Sequence, residues 1–101
     1  MKQEIEIVHI QELSTGIFEA MMNGKKVGEL TYRKQGNNCW VVNHTEVTEQ
    51  CKGQGIARLL VDAVVLYAKK NGYYILPVCS YVKALFNRVP EFQKCLYKEE
   101  Q

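Results

Sequence analysis

The feature that most constrains the fold is a change of period halfway along the chain. Ile56, Leu59, Leu60, Ala63, Val64, Tyr67 and Ala68 recur at i, i+3, i+4, i+7, i+8, i+11 and i+12. That spacing is one continuous apolar face of an α-helix. Val61, Val65 and Leu66 widen the face, so the helix is expected to be heavily covered. Lys69 and Lys70 suit the negative end of the helix dipole, and Asn71-Gly72 offers a C-cap. Ahead of this helix the chain alternates with a period of two.

Ile5, Ile7 and His9 alternate with Glu4, Glu6 and Val8 as a first strand, with His9 expected at the surface or sheet edge. Gly16–Met22 and Lys26–Arg33 read as two strands joined by Asn23-Gly24, the strongest short hairpin signal. Gly28, Leu30 and Tyr32 fall on one face. A turn at Gln35–Asn38 leads into Cys39–Val47, which is rich in β-branched and aromatic residues. These four strands make an antiparallel meander. After the helix, Tyr73–Val78 reads as a fifth strand with Pro77 near its end. A second helix is expected over Ser80–Arg88, with Tyr81, Val82, Leu85, Phe86 and Val89 inward and Pro90 beyond its end. The polar tail from Lys98 is expected to fray. The fold class is therefore α+β: a mostly antiparallel five-stranded sheet with two helices, in one domain over residues 1–101.

At 101 residues the chain is too short for separate cofactor and substrate lobes. A hydrophobic share of 47% with 24% charged residues excludes disorder for the bulk of it. A net charge of +2 falls short of the footprint of a nucleic-acid binder. No strand carries a Gly-Phe-Gly-Phe motif either, so an RNA-binding α+β domain is disfavoured. No stretch reaches the roughly 18 apolar residues of a membrane span. The opening Met1-Lys2-Gln3-Glu4-Ile5-Glu6 has no apolar core of a secretory signal, so a cytoplasmic location is expected, without a membrane partner. Cys39, Cys51, Cys79 and Cys95 form no C-x-x-C pair, so reduced thiols and no metal site are expected.

The chemically informative segment is Gln50-Cys51-Lys52-Gly53-Gln54-Gly55-Ile56-Ala57, a Gly-rich stretch between a strand and the long helix. Small residues let the backbone approach a bulky anion, and free amides at a helix start carry roughly half a positive charge. Lys52 and Arg58 add charge. A phosphate or pyrophosphate would suit the segment; the same glycines would equally serve a plain strand-to-helix turn. It is not a Walker loop, since no Lys-Ser/Thr follows Gly55, and Arg58 stands where G-x-G-x-x-G needs its third glycine.

Lys52-Gly53-Gln54-Gly55-Ile56-Ala57 resembles the acyl-CoA pyrophosphate loop of the GCN5-related N-acetyltransferases, Gln/Arg-x-x-Gly-x-Gly/Ala. His44-Thr45-Glu46-Val47, Pro77-Val78-Cys79-Ser80-Tyr81-Val82 and Pro90-Glu91-Phe92 are similar to the markers of a very small, single-domain subgroup of that superfamily. The resemblance covers roughly Gly16 to Phe92, with the motifs in the right order. It implies acetyl-CoA as cofactor and transfer of its acetyl group to an amine. Main-chain groups near Val47 would then meet the pantetheine arm, and Gly53, Gln54, Gly55, Ile56 and Ala57 the pyrophosphate. Lys52, Arg58 and Lys83 would add charge for the phosphates. Lys52 departs from the family's Gln or Arg and lacks a planar fork, so weaker binding is expected.

The resemblance also makes Cys79 the candidate nucleophile, at a strand end just before a helix, where a thiol ionises more readily. The alternative is a small core residue. His44 is a candidate general base because histidine is the side chain type that ordinarily changes charge near neutrality; alternation puts it on one face with Trp40, Val42 and Glu46. It could equally be hydrogen-bonded within the sheet, with Glu46 as the base. Tyr81 could protonate a leaving thiolate or simply pack. The two N-terminal helices that usually build the acceptor pocket are not expected in this sequence, so a protein lysine or a small amine would both suit. A non-catalytic CoA or acyl-CoA binding module acting through a protein partner is the competing reading.

Overall fold

The computed structural model describes residues 4–98. The expected fraying of the tail therefore falls mostly outside the described residues. Five strands, β1 (Ile5–Gln11), β2 (Thr15–Met22), β3 (Lys25–Gln35), β4 (Cys39–Val47) and β5 (Tyr74–Pro77), form one sheet in the order β1-β2-β3-β4-β5. The first four make the antiparallel meander. Helix α1 (Ile56–Asn71) crosses over to bring β5 parallel to β4, the connection that parallel pairing requires. Helix α2 (Ser80–Arg88) follows, and short 3-10 turns lie at Glu49–Cys51 and Pro90–Cys95. The fold class read from the sequence holds.

Alternation sends Phe18, Ala20, Met22, Leu30, Tyr32, Trp40, Val42 and Ile75 to one face of the sheet. Helix α1 lays Ile56, Leu60, Val61, Val64, Val65 and Ala68 against it. Burying each large aliphatic side chain contributes about 1.5–3 kcal/mol. The covered stripe is narrower than the sequence suggested. Leu59 and Leu66 are 41% and 62% exposed, because α1 has a sheet on one side only and these two fall beyond its edge. Val82, Leu85 and Phe86 of α2 and Phe92 complete the layer, with the rings of Phe86 and Phe92 5.3 Å apart. Tyr81 departs from the expected inward set and is exposed on the first turn of α2. The chain then returns along the outer side of β5, where the Tyr97 amide donates to the Ile75 carbonyl at 2.8 Å.

The two ends of α1 differ in character. At its C-terminal end Tyr32 stacks on Trp40 at 4.0 Å, and Tyr67 and Tyr73 stack on the same indole at 5.3 and 4.8 Å. His9 belongs to this cluster: it lies on the sheet edge, as expected, but is half-buried. Although β1 is an edge strand, its alternation turns His9 inward to stack on Phe18 at 4.0 Å. At the N-terminal end of α1 lie the Gly-rich loop and the far half of β4.

Candidate active site

Two irregularities of β4 shape this end of the molecule. Its pairing with β5 stops at Val42 and Pro77. The amides of Val78 and Cys79 both donate to the Val42 carbonyl, at 2.9 and 3.2 Å, and close the ladder. From Asn43 to Val47, β4 keeps β3 on one side and has no strand on the other.

The second irregularity is a β-bulge. Tyr32 pairs with Val42 and Thr31 with His44, which leaves Asn43 without a partner residue. The Thr31 hydroxyl donates to Asn43 Oδ1 at 2.7 Å and pins the bulge. One extra residue reverses which side chains face which side. The expectation that His44 shares a face with Trp40 and Val42 is therefore overturned. Trp40 and Val42 are in the core, whereas His44 is exposed with Glu46 on the other side. There His44 Nε2 lies 3.3 Å from Glu46 and 3.5 Å from Glu29. Lys26 joins the group, 2.6 Å from Glu29 and 3.3 Å from Glu19. Its hydrogen bond to Glu29 outweighs desolvation and holds its ammonium above the ordinary lysine value.

Beyond the bulge Thr45 and Val47 turn toward α1. They border an open cleft of about 390 Å³. Thr45 to Val47 form its strand wall, Cys51, Lys52, Gly53 and Gly55 its loop, Ile56 and Ala57 the helix start, and Tyr81 the far side. Gly53 and Gly55 have φ of 83° and 79°. No atom lies within 4 Å of a Cβ placed on either. They are needed for the left-handed backbone and not for space. Helix α1 starts without a side-chain cap and without an acidic residue in its first turn. Its first amides consequently have no partner in the helix and confront the cleft with the positive end of the dipole.

The structure brings only some of the sequence candidates to this cleft. Val47, Lys52, Gly53, Gly55, Ile56 and Ala57 line it. Lys52 Nζ rests 3.3 Å from Glu49, with both groups exposed. Gln54 is exposed and outside the wall. Arg58 is held elsewhere: its Nε is 3.1 Å from Asp62 and its guanidinium sits 5.3 Å above the Phe92 ring. Lys83 is exposed on α2, also outside the wall. Thr45 and Cys51 line the cleft without having been singled out from the sequence. Alternation counted from Trp40 assigns Thr45 to the wrong face, and Cys51 had no signal beyond its neighbours.

Cys79 is the N-cap of α2, half-buried, with Sγ 3.5 Å from the Thr45 hydroxyl. Burial alone would raise its pKa. The side-chain hydrogen bond with Thr45 and backbone hydrogen bonds from Val82, Tyr81 and Thr45 outweigh that and set it below the ordinary thiol value. Cys39 and Cys95 go the other way, pushed up by burial. All four cysteines are free thiols.

A sequence profile for GCN5-related N-acetyl-transferases matches residues 17–95. The chain belongs to this family. No curated protein matches it. Among solved structures, a GCN5-like protein from Staphylococcus aureus is 28% identical, with a TM-score of 0.68 over 97% of this chain and 91% of that one. A ribosomal-protein-alanine N-acetyltransferase from Brucella melitensis biovar Abortus has a TM-score of 0.67 at 17% identity, over 90% of this chain and 67% of its own. A GCN5-related acetyltransferase from Elizabethkingia anophelis, solved with acetyl-CoA bound, has a TM-score of 0.58 at 23% identity, over 63% and 42%. The last two share the fold. Among the described residues, no helix is long and apolar enough to cross a membrane.

Proposed function

We propose that this GCN5-related N-acetyltransferase moves an acetyl group from acetyl-CoA to a primary amine, a protein lysine or a small amine, at the open side of β4. The observation that carries the reading is the gap between β4 and β5 beyond Val42 and Pro77, which opens beside an uncapped helix start. The donors fit the cofactor. Unpartnered amides and Lys52 suit a pyrophosphate, and Val47 and Ala57 offer apolar surface to a pantetheine arm. The bound cofactor supplies an activated acetyl thioester.

The chain's own groups do the rest. The free main-chain groups of β4 near Val47 hold the pantetheine amides and polarise the acetyl carbonyl. The Cys79 thiolate attacks that carbonyl, its new C–S bond replacing the one to CoA. Tyr81 or solvent returns a proton to the departing thiolate. The amine then attacks acetyl-Cys79, the C–S bond breaks, and Cys79 is regenerated. The proton shed by the nitrogen passes to Glu46, which borders the cleft and lies 3.3 Å from His44 Nε2, or to water. A direct attack of the amine on the thioester uses the same site without the covalent step.

Thermal stability with and without acetyl-CoA tests the reading, with AMP as the control for simple phosphate binding. A ligand at 100 times its Kd adds about 2.7 kcal/mol, a rise of several degrees for a domain this size. A rise with acetyl-CoA and not AMP, followed by amine-dependent CoA release, supports transfer. Binding without amine-dependent release leaves a CoA-binding module acting through a partner. No shift at millimolar concentration removes the cofactor altogether.

A further inference from the structure

The ladder between β4 and β5 ends at Val42, yet the two elements remain tied beyond it. The tie is Cys79 Sγ to Thr45 Oγ1, 3.5 Å across residues 34 apart in sequence. It spans the gap that opens between the strands. Thr45 reaches this position because the Asn43 bulge turns it to the cleft side. Cys79 reaches it because β5 stops two residues earlier and α2 begins just after.

The chemistry of the pair is asymmetric. A threonine hydroxyl has one donor and two acceptor sites and can rotate. It accepts from a thiol and donates to a thiolate. A valine of the same shape can do neither. We infer that Thr45 is the positioning residue of Cys79: its hydroxyl accepts the S–H, holds the sulfur at the edge of the cleft, and rotates to donate when the sulfur is anionic. Thr45 keeps its own proton throughout, and the thiol proton leaves to buffer. The titratable groups on the cleft wall are Glu46 of β4, Cys51 and Lys52 of the loop and Tyr81 of α2. Thr45 is the side chain hydrogen-bonded to the sulfur.

The significance of the pair for turnover rests on the acetyl-transfer reading, but its test does not. The rate of Cys79 alkylation by iodoacetamide, read at its own peptide by mass spectrometry, is measured from pH 6 to 10 without acetyl-CoA. The sulfur gains an S–CH2 bond and iodide leaves, so the rate follows the thiolate fraction. Thr45→Val is expected to move the midpoint up by about one pH unit and to slow alkylation at pH 7 about tenfold; Thr45→Ser is expected to stay within about twofold of the parent. A Thr45→Val profile that superimposes on the parent overturns the inference, as does a Thr45→Ser profile displaced as far as Thr45→Val. If Thr45→Val does not fold by circular dichroism, Thr45→Ala is measured against Thr45→Ser with the same two criteria. Acetyl-CoA melting of the parent runs alongside. No acetyl-CoA shift with an intact Thr45 effect ends the transfer reading alone; a shift without the effect ends the Thr45 role alone.

Discussion

His9 Nε2 lies 2.7 Å from the hydroxyl of Tyr32, across two strands of the sheet. The ring is stacked on Phe18 and set edge-on to Tyr67. Burial, and to a lesser degree the charge of Lys34, hold its pKa below the ordinary histidine value. Burial likewise pushes the Tyr32 hydroxyl well above its ordinary value, so it serves as the donor and a neutral His9 as the acceptor. Between the lowered folded value and about 6.5, the unfolded chain binds the proton more readily. The contribution is fully present above about pH 6.5 and is lost as pH falls through the folded value. The melting midpoint is expected to drop between pH 7.5 and pH 5, and His9→Phe to lose part of that dependence. Equal pH slopes for the two proteins would show that His9 does not supply it.

The same tyrosine explains a glycine. A Cβ on Gly16 would stand 2.2 Å from the Tyr32 ring. That ring is 1% exposed and clamped against Trp40, so it has nowhere to move. Gly16→Ala is expected to cost about 1–3 kcal/mol, the range for overpacking a tight core. Chemical denaturation of the variant measures it. A change below about 0.5 kcal/mol would mean that Tyr32 yields.

These two residues also mark how far the sequence could be read. Alternation, turn residues, composition and the 3.6 period together placed the five strands and both α-helices; the first half of β4, buried throughout, was legible from its β-branched and aromatic residues and not from alternation. The pattern fails where a side chain's surroundings come from distant segments. His9 sits on an edge strand, yet Phe18, Tyr32 and Tyr67 enclose it. The Asn43 bulge is held by Thr31 of the neighbouring strand, so nothing in β4 alone announces it. One unannounced residue was enough to put His44 on the wrong face and to hide Thr45. The loop was legible as a loop because its glycines adopt conformations that other residues rarely adopt. Arg58 carries no sign in the sequence of the partners that hold it here, Asp62 and the Phe92 ring.

That hold on Arg58 separates it, on the first turn of α1, from Lys52 of the loop. Lys52 lines the cleft and is held only by an exposed pair with Glu49, the kind worth about 0–1 kcal/mol. It is free to exchange that partner for a phosphate. Lys52→Ala is expected to weaken acetyl-CoA binding by about three- to tenfold. Arg58→Ala is expected to leave the affinity within about twofold and to lower stability slightly instead, through loss of its contact with the Phe92 ring. Isothermal titration with acetyl-CoA reads both. The reverse ranking would mean that Arg58 leaves Asp62 and Phe92 when the cofactor binds.

Gly55 tests the loop backbone itself. With φ at 79° and open space around the Cβ position, Gly55→Ala meets no steric neighbour and bears only the left-handed backbone cost, about 1–2 kcal/mol. The melting midpoint should fall by several degrees. Acetyl-CoA affinity should fall too, because the residue sets the direction of the first amides of α1. A variant that melts lower but binds acetyl-CoA as tightly as the parent would mean that the amides do not depend on this turn.

Removing the Cys79 thiol divides the chemistry. The thiol is not part of the cleft wall, so Cys79→Ala is expected to bind acetyl-CoA with about the parent's affinity. Its melting point should change little, since a half-buried side chain loses one sulfur and one weak hydrogen bond to Thr45. Amine-dependent CoA release should fall at least a hundredfold if acetyl-Cys79 forms, because the variant has no sulfur at that position to accept the acetyl group. Cys51 is the nearest alternative on the cleft wall, and mass spectrometry of the protein quenched with acetyl-CoA distinguishes the two peptides. A Cys79→Ala protein with undiminished turnover would eliminate the covalent route and leave direct attack by the amine on the bound thioester.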